Sequence, residues 1–306
     1  MIGKFSARPD ESAVKLRLRQ LAERVDARLP ELLPSPAERP EEVHWAMLYA
    51  AASPGKRLRP VLALAVAEMF GGAAPQTLDL ACAIEMVHAC SLVLDDLPMM
   101  DDAELRRGRP TTHKAFGEAV AVLASYGLLN RAYAIFAERV HQLRLKRYSS
   151  EDLIHLLTEA VGSRGLIGGQ ALDIESGGQE LDLGRLEFIH SHKTGALFTA
   201  AAELGAMAAD AKRSELAVVT RYAKNLGLAF QIADDLLDVL ATREETGKDS
   251  GQDAEKTTFV GLLGVAGAER LCSELLDFAI DSVGGLGRKA DSLRQLAEVV
   301  RRRGKL

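Results

Sequence analysis

Apolar residues along this chain recur at spacings of three and four, as in LAVVTRYAKNLGLAFQIADDLLDVL over residues 216–240. Clean alternation with the period of two that a half-buried strand requires is missing. All ten prolines lie at or before Pro110, which leaves residues 111–306 free for long helices. The pattern predicts helices at about 11–29, 42–52, 60–70, 76–97, 115–141, 151–176, 185–207, 214–241, 255–283 and 289–303. Pro60 and Pro75 fall where the first turn of a helix tolerates proline. Leu33–Pro40 reads as a proline-rich connector and Gly247–Gly251 as a loop, each too short to separate two domains. The expected fold is all-α, with residues 1–306 forming a single domain of about ten or more helices and no internal repeat of fixed period.

Composition narrows the function classes. With 47% hydrophobic residues in 306, the chain can bury a large core. A net charge of −5 and a pI of about 5.9 argue against a nucleic-acid partner, whose binding domains carry a basic stripe. Cys82, Cys90 and Cys272 are an odd count without CxxC spacing, so a disulfide framework and a zinc site are not indicated and a reducing cytoplasm is expected. The N-terminus lacks the apolar core of a signal peptide and no run approaches the roughly 18 apolar residues of a spanning helix, so a soluble protein without stable membrane insertion is expected.

Charge is concentrated in Cys90–His113, CSLVLDDLPMMDDAELRRGRPTTH, where Asp95, Asp96, Asp101 and Asp102 lie beside Arg106, Arg107 and Arg109. Such carboxylates repel by roughly 4 kcal/mol per near pair at an intermediate effective dielectric, and so call for a divalent metal or arginine nearby. Mg²⁺ with phosphate oxygens answers both signs, because it takes one or two carboxylates plus substrate phosphates while arginines fork onto the same phosphates. Asp95 and Asp101 are about 120° apart on a straight helix and cannot share one ion from it. Pro98 supplies the break, so Asp101 is expected on a bend that swings back toward Asp95.

A second copy, Gln231-Ile-Ala-Asp234-Asp235-Leu-Leu-Asp238, sets Gln231, Asp234 and Asp238 along one helical face with no proline between them. One such motif alone is more often surface charge; two in one helical chain indicate a metal and diphosphate site.

Ser53–Pro60 (SPGKRLRP) is a basic turn opening a helix, where backbone N–H groups favour anions. His88, seven residues before Asp95, lies close to the same helical face, and its register argues for the cavity over the core. His190 and His192 lack a third ligand and read as structural, whereas Lys193 and Thr194 beside them offer a cation and a hydroxyl. Gln170 and Asp173 share a face and suit either a polar cavity wall or another use. Lys248 follows the second motif closely enough to loop back over a diphosphate. Arg301, Arg302 and Arg303 read as a solvated basic tail outside the site.

With both aspartate motifs and the GKRLRP turn in place, residues 41–265 resemble the trans-isoprenyl diphosphate synthases of the short-chain type. DDLPMMD with LRRGRPTTH is similar to that family's first aspartate-rich motif, and FQIADDLLD with GKDSGQD to its second. The resemblance implies an α-helical barrel around a deep apolar cavity, three Mg²⁺ between the motifs, and a homodimer. It implies metal binding by Asp95, Asp101 and Asp234 with Asp96 and Asp238 supporting. It assigns Arg106, Lys193 and Lys248 to the allylic diphosphate and Lys56, Arg59, His88 and Arg107 to isopentenyl diphosphate. Thr194 and Gln231 match polar groups near the developing cation. The reaction implied is ionisation of an allylic diphosphate, attack by the isopentenyl double bond, and proton loss to the departing diphosphate.

Two departures stand out: Pro54 replaces a usual glycine, and Ser125-Tyr126-Gly127 replaces a frequent Gly-Asp-Ala. A terpene cyclase would need no isopentenyl site, and a non-catalytic partner subunit would carry degraded aspartate motifs. In this family the residues four and five before the first aspartate, here Ser91 and Cys90, influence product length. Both are small and lie about 6–7.5 Å below Asp95 along a helix, which favours the twenty-carbon geranylgeranyl diphosphate over the fifteen-carbon farnesyl product.

Overall fold

The computed structural model describes residues 11–72, 74–240 and 257–303, and within them the chain is almost wholly α-helical. Helices α1 (Glu11–Leu32), α2 (Glu41–Ala51), α3 (Leu58–Met69) and α4 (Pro75–Asp95) lead to a short hairpin of β1 (Leu105–Arg106) and β2 (Arg109–Pro110). Then follow α5 (Thr112–Phe116), α6 (Glu118–Arg139), α7 (Ser150–Val161), α8 (Leu166–Glu175), α9 (Leu183–Lys193), α10 (Gly195–Ala208) and α11 (Arg213–Leu240). Two last helices, α12 (Phe259–Ser282) and α13 (Asp291–Arg303), pack onto α11.

Burial follows composition. Leu80, Ala81, Ile84, Met86 and Val87 close α4 on every side, and α10 is likewise apolar all round, so these two helices are interior. They pack with α3, α6 and α11, and one buried cluster runs from Leu18 to Val300.

The structure divides two of the predicted helices. The stretch read as 151–176 is α7 and α8, because Gly162 turns to ψ −176° after Val161. The stretch read as 185–207 is α9 and α10, which meet at Thr194, where the hydroxyl bonds across to Gln231. The hairpin has no counterpart in the apolar pattern: its two-residue turn places Arg107 and Gly108 at φ 55° and 74°, the left-handed pair that such tight turns need.

One expectation about membranes needs correction. By length and composition α4 and Glu118–Gln142 are apolar enough to cross a bilayer, a property that a search for unbroken apolar runs overlooks. The apolar window of α4 is 72% buried, as suits a core helix, whereas that of Glu118–Gln142 is 39% buried. Leu123 and Tyr126 of α6 are exposed by 54% and 64%.

Candidate active site

The first aspartate motif forms where α4 stops. Pro98 lacks the N–H that another turn would use, and the chain curls so that the Asp101 N–H donates to the Asp95 carbonyl at 2.9 Å and the Asp102 N–H to that of Leu97 at 3.1 Å. The predicted return of Asp101 toward Asp95 is therefore present. Crowding has a cost: burial, with the Asp101 and Asp96 charges, pushes the Asp95 carboxyl up to about 6, against the pull of Lys193 and Arg106.

Asp96 turns inward instead. It is 3% exposed and accepts both Arg106 Nε (2.7 and 2.9 Å to its two oxygens) and Nη2 at 2.5 Å. Burial holds its carboxyl above the usual range, although Arg106 opposes this. The three arginines expected to fork onto common phosphates diverge. Arg106 is tied to Asp96, Arg107 donates to the Pro54 carbonyl at 2.8 Å, and Arg109 stacks 4.0 Å above the Tyr49 ring. The hairpin causes this split, since 106 and 109 are paired while 107 occupies the turn.

Arg107 brings the basic turn of residues 53–60 against the first motif. Its guanidinium lies over Gly55, where a Cβ would be 2.4 Å from Nη1, so a side chain there would displace it. The turn with Pro54 thus still receives Arg107 on its backbone. Within the turn, Arg57 is held from behind by Asp26 (2.7 Å) and Glu85 (2.9 Å). Arg59 is buried over the Phe198 ring at 4.6 Å with its Nε unpaired, and burial lowers it to about 10, still cationic near neutrality. Burial and the neighbouring Arg303 lower Lys56 too, while Asp234 opposes. His88 faces this group; burial and Arg59, Arg107, Arg106 and Arg57 hold it well below 6.5, so its imidazole is neutral at pH 7. A cavity of about 30 Å³ is lined by Tyr49, Arg57, His88, Asp96, Arg106 and Arg107 among others.

Across the site, Lys193 ends α9 and donates to Asp173 at 2.7 Å. Burial lowers its pKa, but Asp95, Asp173 and Asp101 outweigh this and raise it overall. Its backbone is pressed against α8: a Cβ on Gly169 would lie 2.1 Å from the Lys193 nitrogen. Thr194 Oγ1 donates to Gln231 Oε1 at 2.9 Å, and Gln231 Nε2 donates to Asp235 at 3.0 Å. Asp235 also accepts the Phe259 N–H at 2.9 Å, which fixes the start of α12. Asp234 and half-buried Asp238 keep the predicted face of α11.

Three contributors escape a reading of the sequence, and a fourth is left open by it. Asp173, open between two uses, pairs with Lys193; Glu85 and Asp235 anchor site residues from behind. Arg303, expected in a solvated tail, instead forms an ion pair with Asp234 and lies 4.7 Å over Phe230. A signal for it exists, because Leu293, Leu296, Ala297 and Val300 form the buried stripe of α13 and residue 303 continues it. Cys90 is buried in the core with its thiol pushed up to about 12, while half-buried Ser91 returns its hydroxyl to the His88 carbonyl at 2.9 Å. Lys248 lies outside the described residues.

The donors suit a hard divalent cation. They are carboxylates, and the strained Asp95 would be relieved by positive charge. Among the described residues no three His, Cys, Asp or Glu side chains make a cage. Mg²⁺ does not ask for one, since it completes its shell with water and phosphate oxygens.

Known proteins resemble the chain over most of its length. Geranylgeranyl pyrophosphate synthase 7, chloroplastic, of Arabidopsis thaliana is 41% identical over 272 residues, covering 86% of this chain and 77% of that protein. Farnesyl diphosphate synthase of Bacillus subtilis (strain 168) is 37% identical over 266 residues, covering 85% and 88%. The crystal structure of an FPP/GFPP synthase from Zymomonas mobilis superposes with a TM-score of 0.84 at 36% identity, covering 94% of this chain and 99% of that one. Residues 40–277 match the family model described as polyprenyl synthetase, and the chain is a trans-prenyltransferase that belongs to this family.

Proposed function

We propose that the protein is a Mg²⁺-dependent synthase that condenses isopentenyl diphosphate with allylic diphosphates and stops at geranylgeranyl diphosphate. The observation that carries this reading is the placement of two carboxylate sets, on α4 with its loop and on α11, around separate cationic groups.

The residues divide the work. Arg106 and Lys193, beside Asp95 and Asp101, hold the allylic diphosphate. Lys56, Arg59, Arg107 and neutral His88 hold isopentenyl diphosphate, with His88 a hydrogen-bonding group and not a charge. Three bound Mg²⁺ at Asp95, Asp101 and Asp234 would supply charge neutralisation for the departing diphosphate, stronger in the transition state than in the bound ester. Thr194 and Gln231 present oxygen dipoles at the α9–α10 break, where an allylic cation would develop. The isopentenyl double bond closes the new C–C bond, and the proton lost afterwards goes to the departing diphosphate, so no side-chain base is assigned.

Product length rests on Cys90 and Ser91. Each buried CH₂ of a growing tail gains about 0.8 kcal/mol, so elongation continues until a side chain blocks it. Relatives of similar identity carry twenty-carbon and fifteen-carbon names, which leaves the stop to these side chains. A second copy seated on α6 would cover Leu123 and Tyr126, which supports a homodimer and accounts for that face without a bilayer. The thiols of Cys82, Cys90 and Cys272 are buried and no disulfide joins them, which suits the cytoplasm.

The test is purified protein with Mg²⁺, isopentenyl diphosphate and each allylic primer, read by chromatography of dephosphorylated products. Twenty-carbon alcohol as the end product supports the proposal, and a fifteen-carbon end product replaces it with farnesyl diphosphate synthesis. Cys90→Tyr should shorten the product by one unit; an unchanged distribution removes Cys90 from the cavity floor. Lys56→Ala should raise the KM for isopentenyl diphosphate most, and equal effects on both substrates contradict the division of sites.

A further inference from the structure

The end of α13 approaches the second aspartate motif from outside the expected site. Leu293, Leu296, Ala297 and Val300 are buried at helical spacing and fix the helix, and Arg303 extends that stripe by one step of three. Arg301 lies about 200° around the axis from Arg303 and is held elsewhere, by Ser273 (2.6 Å), Asp277 (2.6 Å) and Glu298 (3.2 Å). The two arginines therefore differ in kind. Arg303 Nη2 donates to Asp234 Oδ1, and its guanidinium covers Phe230, one turn earlier on α11. Its Nε is buried without a hydrogen-bond partner.

This arrangement brings like charges together. Lys56, Arg59 and Arg107 all lie within the field of Arg303, which adds a further cation to a crowded group. An unpaired buried donor and three cationic neighbours both disfavour the position, and the contacts that offset them are Asp234 and the Phe230 ring. The guanidinium thus sits on the carboxylate that a divalent cation would use. A cation at Asp234 and the present Arg303 contact are in competition, because the metal would take the oxygen charge and repel the guanidinium.

We propose that Arg303 is a resident counter-ion of the second aspartate motif, holding Asp234 until a divalent cation displaces it, so that the C-terminal helix sets metal affinity at that motif. The inference rests on the reading of Asp234 as a metal ligand. A ligand that must displace a resident partner binds more weakly by the equilibrium constant of that pairing. Removing Arg303 should therefore tighten metal binding in the absence of any substrate.

The experiment is Mn²⁺ titration of the substrate-free protein, with free Mn²⁺ followed by electron paramagnetic resonance. Arg303→Gln should bind Mn²⁺ about five- to tenfold more tightly than wild type, the lower part of the range for coupled sites. Arg303→Lys, which keeps the charge and loses the fork, should fall between them, and Arg301→Gln should match wild type. Introducing Asp234→Asn should abolish the gain that Arg303→Gln brings. Equal affinities in wild type and Arg303→Gln, or the same gain in Arg301→Gln, overturn the counter-ion role while leaving the metal reading intact. Mn²⁺ binding that is unchanged by Asp95→Asn and Asp234→Asn overturns the metal reading itself, and this inference with it.

Discussion

At both aspartate motifs the first carboxylate of the pair faces the site and the second turns into the protein, but the two anchors use different chemistry. Asp96 is fixed by a guanidinium, through Arg106 Nε and Nη2. Asp235 is held by neutral donors, the Gln231 amide and the Phe259 N–H. The facing carboxylates differ as well: Asp95 ends α4 against Asp101 on the bend that follows, whereas Asp234 lies within α11 against Arg303. A repeated sequence step therefore does not imply a repeated environment. At the first motif burial and crowded carboxylates outweigh the pull of Lys193 and Arg106 on Asp95, whereas at the second Asp234 is in direct contact with a guanidinium.

The largest effects should come from the facing carboxylates. Asp95→Asn and Asp234→Asn should each lower kcat by a factor of roughly 10³ or more, about 4 kcal/mol of lost transition-state stabilisation, with the fold retained. Steady-state rates with matched circular dichroism spectra test this. A tenfold loss or less at either position would remove that carboxylate from the reacting centre.

The anchors should separate next, in stability. Asp96→Asn leaves Arg106 without its charge partner, which should cost about 3 kcal/mol, the low end for a broken buried pair because Arg106 keeps 22% of its side chain exposed. Urea denaturation of the metal-free protein would register this as a lower midpoint with an unchanged slope.

Asp95 gives a pH signature that distinguishes the motifs further. Its folded pKa of about 6 exceeds the ordinary aspartate value of 3.8, so the folded state binds the proton more tightly than the unfolded chain. Its contribution to stability is then fully present below pH 3.8 and is lost as pH rises toward 6, by about 2–3 kcal/mol in all. In EDTA, wild type should lose that stability relative to Asp95→Asn between about pH 4 and pH 6.5, and Mg²⁺ should restore it. Parallel curves for the two proteins would mean that Asp95 is not strained.

Much of the first motif is legible from the chain because its determinants are local. Pro98 ends α4 and the next few residues complete the bend, so spacing alone places Asp101 near Asp95. Helical register likewise places His88 and the Asp234–Asp238 face. Partners chosen by packing are not legible. Lys193 meets Asp173 across 20 residues, and Arg303 meets Asp234 across 69. The break at Thr194 belongs to the same class, since nothing in residues 185–207 states that a glutamine on another helix will take its hydroxyl. Charge runs are the most misleading signal: Arg106, Arg107 and Arg109 are close in sequence and reach three different partners, because a two-residue turn points them apart.

The smallest predicted effect is also the sharpest test of whether anchor chemistry, and not burial alone, distinguishes the motifs. Asp235 is about as buried as Asp96, at 6% against 3% exposed, so burial by itself predicts equal losses on substitution. Asparagine keeps one acceptor oxygen, which can serve either the Phe259 N–H or Gln231 Nε2. Its NH₂ group then faces the other donor, and one polar contact is lost. No guanidinium is left uncompensated at these two contacts, since both partners are neutral. Asp235→Asn should therefore cost about 1–2 kcal/mol, the lower part of the range for one unsatisfied buried group, and less than Asp96→Asn. The same urea series decides between the readings: a loss equal to that of Asp96→Asn would show that burial governs both anchors, and the contrast between charged and neutral partners would carry no energetic weight.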